Sequence, residues 1–122
     1  MALVGYFEIP VTDLDRAVAF YEDVLGATLD REVVDGYPMA LFPAAGGAGQ
    51  ATGALAQGDG YVPSLDGPRV YFRVDDVGAA VVRAVARGAQ VLYPRTAVGD
   101  DEVAEVSDSE GNRIAFLAAR TR

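Results

Sequence analysis

Glu8 is the one carboxylate that strand alternation sets on the polar face of a central strand. In Tyr6-Phe7-Glu8-Ile9-Pro10-Val11, Phe7, Ile9 and Val11 share one face, while Tyr6, Glu8 and Pro10 share the other. A second stretch, Arg69-Val70-Tyr71-Phe72-Arg73-Val74, repeats the pattern with Arg69, Tyr71 and Arg73 on its polar side. A sheet face packed only against core would not carry so many polar groups, because burying them unpaired is costly; a ligand cavity accounts for them. Three roles are open to Glu8. It is a structural partner of Arg69 or Arg73, an anchor for a cationic or hydrogen-bonding ligand, or a general base with a pKa raised by burial. Tyr6, Tyr37 and Tyr71 each offer a ring to stack and a hydroxyl to donate, the alternative being ordinary strand packing. Met39 and Leu55 fit either a pocket wall or core. Arg16, one turn into a helix, reads as a surface residue or the partner of a nearby carboxylate.

Other chemistry is excluded by composition. The 122 residues include no Cys, His, Lys or Trp, and all ten cations are Arg. Disulfides, thiolate and imidazole catalysis and Schiff bases are therefore out, and a conventional zinc site lacks its nitrogen and sulfur ligands. A net charge of -8 argues against nucleic acid and anionic membranes as partners. The acidic run Asp100-Asp101-Glu102 with Glu105 lacks the alternating ligands and central Gly of a calcium loop and reads as a solvated loop. Gly46-Gly47-Ala48-Gly49 has no Lys-Ser/Thr after it and reads as a mobile lip over the cavity, not a phosphate loop. No apolar run is long enough to span a membrane, and Met1-Ala2-Leu3-Val4 has no basic leader region, so a cytoplasmic location is expected.

The elements that must position these residues come in two copies. Each copy opens with the alternating strand and an acidic helix cap, Thr12-Asp13 or Asp75-Asp76. An amphipathic helix follows and stops at Gly26 or Gly88, with stripes Leu14, Ala17, Val18, Tyr21, Val24, Leu25 and Val77, Ala80, Val81, Ala84, Val85. Further strands are expected over 27–34, Tyr37–Pro43, Ala51–Gln57, Ala89–Pro94, Val103–Ser107 and Arg113–Ala119. Turns fall at Asp35-Gly36 and Asp108–Asn112, and a loop lies around Val98–Glu102. The fold class is α+β: tandem βαβββ units, 1–57 and 69–122, joined by a connector over 58–68 in a single domain. Two four-stranded mixed sheets enclose a cavity, with the helices outside. The expected core is Phe7, Ile9, Val11, Val18, Val70, Phe72, Val74, Val81, Ile114 and Phe116.

The repeat, together with Phe7-Glu8-Ile9-Pro10-Val11-Thr12-Asp13, Phe20-Tyr21, Leu25-Gly26, Gly53-Ala54-Leu55 and Asp108–Asn112, resembles the vicinal oxygen chelate superfamily. That family includes glyoxalase I, bleomycin-resistance proteins and extradiol dioxygenases. The resemblance covers the whole chain and looks closest to a small bacterial glyoxalase-like branch. It implies four metal-ligand places, which hold Tyr6, Gly53, Arg69 and Ala115 where His, Gln and Glu are usual. No metal or other cofactor is expected here.

The leading functional expectation is a metal-independent protein binding an apolar or aromatic small molecule, with Tyr6, Glu8, Tyr37, Met39, Leu55, Arg69, Tyr71 and Arg73 as ligand contacts. One alternative is a lyase or isomerase in which Glu8 removes a proton next to a carbonyl while Tyr6 or Tyr71 with Arg69 steadies the oxyanion. Another is a glyoxalase- or dioxygenase-like enzyme with an atypical oxygen-only metal site that uses Glu8. Exposed sheet edges, and the resemblance, point to a homodimer.

Overall fold

A computed structural model describes residues 3–44 and 51–120. The elements run β1 (Phe7–Val11), α1 (Leu14–Leu25), β2 (Asp30–Val34), β3 (Tyr37–Leu41), β4 (Gly53–Gln57), β5 (Tyr71–Arg73), α2 (Val77–Ala86), β6 (Val91–Val98), β7 (Asp101–Ser107) and β8 (Arg113–Ala119). This is βαβββ twice. The strands form two four-stranded sheets, ordered β1-β4-β3-β2 and β5-β8-β7-β6. In each sheet the unit's first strand pairs parallel to its last, and the other pairings are antiparallel. Neither sheet closes into a barrel.

Both helices start on an aspartate cap: Asp13 accepts the Arg16 N–H and Asp76 that of Ala79, each at 3.0 Å. α1 ends at Gly26, whose φ of 67° suits a residue without Cβ. The apolar side of each sheet meets its helix, and these residues merge into one buried cluster that spans both units. The helices also touch each other. Arg83 donates to the Val24 carbonyl at 2.9 Å, and Arg87 pairs with Asp23 at 2.7 Å. Ile9, Val11, Val18, Ile114 and Phe116 are buried as expected, whereas Phe7, Val70, Phe72, Val74 and Val81 are half-buried at the margins. Val85 is exposed, because only the Val77, Ala80 and Ala84 line of α2 is buried.

The hairpin turn expected at Asp108–Asn112 also fastens the two units together. Buried Asp108 accepts the Tyr21 hydroxyl at 2.6 Å, and the Asn112 amide donates to the Pro10 carbonyl at 2.7 Å. Glu110 accepts the Thr12 and Asp13 N–H groups, both at 2.9 Å, and the Arg16 guanidinium at 2.8 Å. Arg16 is thus the partner of a nearby carboxylate.

Some boundaries differ from expectation. β6 continues past Pro94 to Val98, and β7 starts at Asp101, so most of the acidic run lies in a strand and not in a solvated loop. The Gly46–Gly49 stretch lies outside the described residues. Among the described residues, no helix is long and apolar enough to cross a membrane.

Candidate functional site

The side of each sheet turned away from its helix is left open, and the chemistry-bearing residues collect there. β1 register sets Glu8 beside Ala54 and Phe7 beside Gly53. A Cβ on Gly53 would stand 2.5 Å from the Phe7 ring, so Gly53 belongs to the core-facing side. If the ligand places implied by the resemblance lie on the open side, the one expected at Gly53 falls on Ala54, which lies beside Glu8 as Ala115 lies beside Tyr71 in the second sheet. Leu55, beside Ile9, is fully buried in the helix-side core and forms no wall of the open face. Alternation by one residue separates the two roles.

On the first open face, two phenols hold the Glu8 carboxylate. Tyr61 donates to one oxygen at 2.8 Å and Tyr6 to the other at 3.2 Å. The Tyr6 hydroxyl also approaches the Met39 sulfur at 3.9 Å, and the Tyr37 ring meets Tyr61 edge-on at 5.6 Å. Met39, Ala54 and Ala56 form a buried apolar floor, with Leu41 and Tyr61 against it. Glu8 is thus partnered by tyrosines and not by Arg69 or Arg73. Tyr61 comes from the connector, where no periodicity marks it. An added Cβ on Gly58 would sit 2.4 Å from the Tyr37 ring on which Tyr61 packs.

These phenols stay protonated well above neutrality. The hydrogen bond to Glu8, then burial and the Glu8 charge, push Tyr61 up to about 12. Burial first, then the same carboxylate, raises Tyr6. At neutral pH the cluster offers rings and hydroxyl donors around a carboxylate.

The second open face is built on arginine. Glu105 accepts Arg69 Nε at 3.0 Å and also the Arg113 guanidinium. Burial works to raise its pKa, but the hydrogen bonds and charges of Arg113 and Arg69 hold it below the ordinary carboxylate value. Tyr71 stands half exposed on the short edge strand β5. Arg73 has no hydrogen bond or ion pair to another described residue.

The four places that the resemblance implies for metal ligands would then be held by a hydrogen-bonded phenol (Tyr6), two methyl groups (Ala54 and Ala115) and a guanidinium committed to Glu105 (Arg69). This donor set does not fit a metal of the family's kind, since methyl groups have no lone pair and a guanidinium is a permanent cation. Among the described residues, no three His, Cys, Asp or Glu side chains form a group that could hold a metal ion.

Comparison with known proteins agrees with this architecture. No curated protein matches the chain. A glyoxalase/bleomycin resistance protein from Streptomyces sp. CB03234 is 28% identical, covering 91% of this chain and 96% of that one, with a TM-score of 0.60. An antibiotic binding protein from the same organism is 23% identical, covers 98% of both chains and has a TM-score of 0.63. A glyoxylase/bleomycin resistance protein/dioxygenase domain from Frankia sp. EAN1pec is 19% identical, covering 98% of this chain and 93% of that one, with a TM-score of 0.73. The model of one family matches residues 3–116. With the paired βαβββ units and the two open sheet faces, that match establishes that the chain belongs to the Glyoxalase/Bleomycin resistance protein/Dioxygenase superfamily.

Proposed function

We propose that the protein binds an apolar or aromatic small molecule against its open sheet faces, without a metal, and does so as a homodimer. The observation that carries this reading is the exchange at the four ligand places. Tyr6, Ala54, Arg69 and Ala115 cannot assemble a metal centre, yet the surroundings keep what a ligand pocket needs. On the first face Tyr6 is 45% exposed beside Met39 and Tyr37 packs on Tyr61 at the Met39–Ala54–Ala56 floor, while on the second face Tyr71 is 50% exposed. Rings with a hydroxyl at one end suit a planar ligand that has a few polar atoms. The antibiotic binding protein among the neighbours gives a precedent for this use of the fold.

Titration calorimetry of chelator-treated protein against a panel of polycyclic aromatic antibiotics tests the reading. Binding at one stoichiometry, unchanged by EDTA, is the expected result. Binding that needs an added divalent ion, or a stoichiometric metal in the native mass spectrum, overturns it.

The dimer is supported by the outer edges. β2 ends the first sheet and β6 the second, and every β2 residue is exposed. Free edges invite pairing or covering, and two-fold association is the common closed arrangement. Sedimentation equilibrium at micromolar concentration is expected to give twice the chain mass. A clean monomer would refute the dimer and leave a single chain to hold the ligand.

A further inference from the structure

We infer that a second binding site, for an aromatic carboxylate, lies in the cleft at the seam between the two units beside β5. This cleft has a volume of about 570 Å³, within the range of small-molecule pockets. Phe7, Phe42 and Phe72 line it, with ring centroids 5.3 to 6.1 Å apart in tilted and edge-on arrangements. Leu25 and Val70 add apolar walls, and Arg73 stands among the lining residues. The site goes beyond the ligand reading above: Tyr71 of the second open face borders it, but no residue of the Glu8 cluster does.

Arg73 is what gives the cleft a preferred charge. Among the described arginines, Arg16, Arg31, Arg69, Arg87, Arg95 and Arg113 pair with carboxylates. Arg83 and Arg120 donate to carbonyls. Arg73 has neither kind of partner among the described residues. In a chain with 18 acidic and ten basic residues, a guanidinium left unpaired at an aromatic-walled hollow is matched by an anion the chain does not supply. A carboxylate accepts two guanidinium N–H groups side by side, and an attached aryl group extends over the phenylalanine rings. A neutral aryl group would leave the guanidinium unused, and an ammonium would be repelled by it.

The test compares 1-naphthoate, 1-naphthalenemethanol and 1-naphthylmethylammonium by calorimetry, with the position read from methyl NMR shifts. Naphthoate is expected to bind about tenfold tighter than the alcohol, the scale of one charge-assisted contact, with the ammonium weakest. Arg73→Gln should erase the difference, and Arg73→Lys should keep part of it. The Val70 and Leu25 methyl groups should shift while those of Met39 and Ala54 stay still. Equal binding of acid and alcohol, an unaffected Arg73→Gln variant, or shifts confined to Met39 and Ala54 would each overturn the inference, as would no binding of naphthoate at millimolar concentration. A panel antibiotic that shifts Met39, together with naphthoate that shifts neither Val70 nor Leu25, would preserve the proposed function while this second site fell.

Discussion

The two open faces are built on the same unit and carry opposite chemistry. On the first, Glu8 is held by two tyrosines, and the register places Asp30 and Glu32 on the same side as Leu41 and Met39, with no arginine among them. Arg31, one residue out of phase, turns the other way and pairs with Asp15 of α1. On the second, Glu105 is clamped by Arg69 and Arg113, with Tyr71 and Arg73 alongside. On the helix sides the units stay alike: Ile9 lies beside Leu55 and Phe72 beside Phe116, with Leu55 and Phe116 fully buried. A sheet with one packed side and one open side confines divergence to the open side, because core substitutions cost several kcal/mol and exposed ones little.

If the helix sides are equivalent, both should fail alike. Phe116→Ala should cost about 3–5 kcal/mol and Leu55→Ala about 2–5 kcal/mol, read from urea unfolding midpoints at constant slope. A near-zero cost for either would mean that its unit is not committed to the shared core, and the comparison would break at its base.

The fastening between the units comes next in size. Glu110 has a fully buried side chain, and its pKa is held at about 2. Burial opposes this, but the Arg16, Ser109, Asp13 and Thr12 donors outweigh it. Its folded value lies below its ordinary value of 4.5, so its contribution is complete above that pH and is lost as pH falls toward about 2. Glu110→Gln should cost about 2 kcal/mol at neutral pH, as for hydrogen bonds to a charged group, and should flatten the stability curve across that acid window. An unchanged acid profile would show that the turn does not couple the units through this carboxylate.

Much of this was legible in the sequence where one period dominated. Alternation in β1 separated Glu8 from Phe7 and Ile9, and helical spacing found the buried line of α1. Where two signals compete, the sequence misleads. Pro94 suggested a strand end, but β6 is an edge strand with register shifts on both sides of Tyr93, and there a missing N–H does little harm. The acidic residues before Val103 suggested solvent, yet Glu102 pairs with Arg95 from the neighbouring strand. Aligning the two copies cannot resolve the one-residue shift between Gly53 and Ala54; the Phe7 ring against Gly53 can. Tyr61 was invisible, since its contact with Glu8 crosses from an aperiodic connector and depends wholly on tertiary placement.

A smaller effect separates the two carboxylates themselves. Glu105 is mostly covered and serves two arginines, so Glu105→Gln should cost about 1 kcal/mol, and less in high salt. Its pKa is lowered, so that contribution should fade as pH drops below 4.5. Glu8 is exposed, and Glu8→Gln should change stability by less than about 0.5 kcal/mol. Reversal of this order would mean that the tyrosine-held carboxylate is the structural one, and the ligand reading would lose its centre.

The smallest signal is also the most specific to the first face. Tyr61 titrates near 12 because its hydroxyl donates to Glu8, so deprotonation would set a phenolate against a carboxylate. Its pKa is raised above the ordinary 10.0, so whatever stability the contact contributes is complete below pH 10 and is lost as pH rises through about 12. Beside the delayed steps of Tyr6 and Tyr21, ultraviolet titration of phenolate absorbance should show a step near 12 that moves down toward 10 in Glu8→Gln and disappears in Tyr61→Phe. Tyr71 has no such carboxylate contact, so Tyr71→Phe should leave the late step in place. Tyr21, whose hydroxyl is buried against Asp108 and whose pKa is raised by that burial and then by the charge, should titrate late in every variant, so the contact is refuted if Tyr61→Phe removes no late step and Glu8→Gln moves none. The first face would then owe its character to ring packing alone, and Glu8 would be free to meet a ligand without first giving up a phenol.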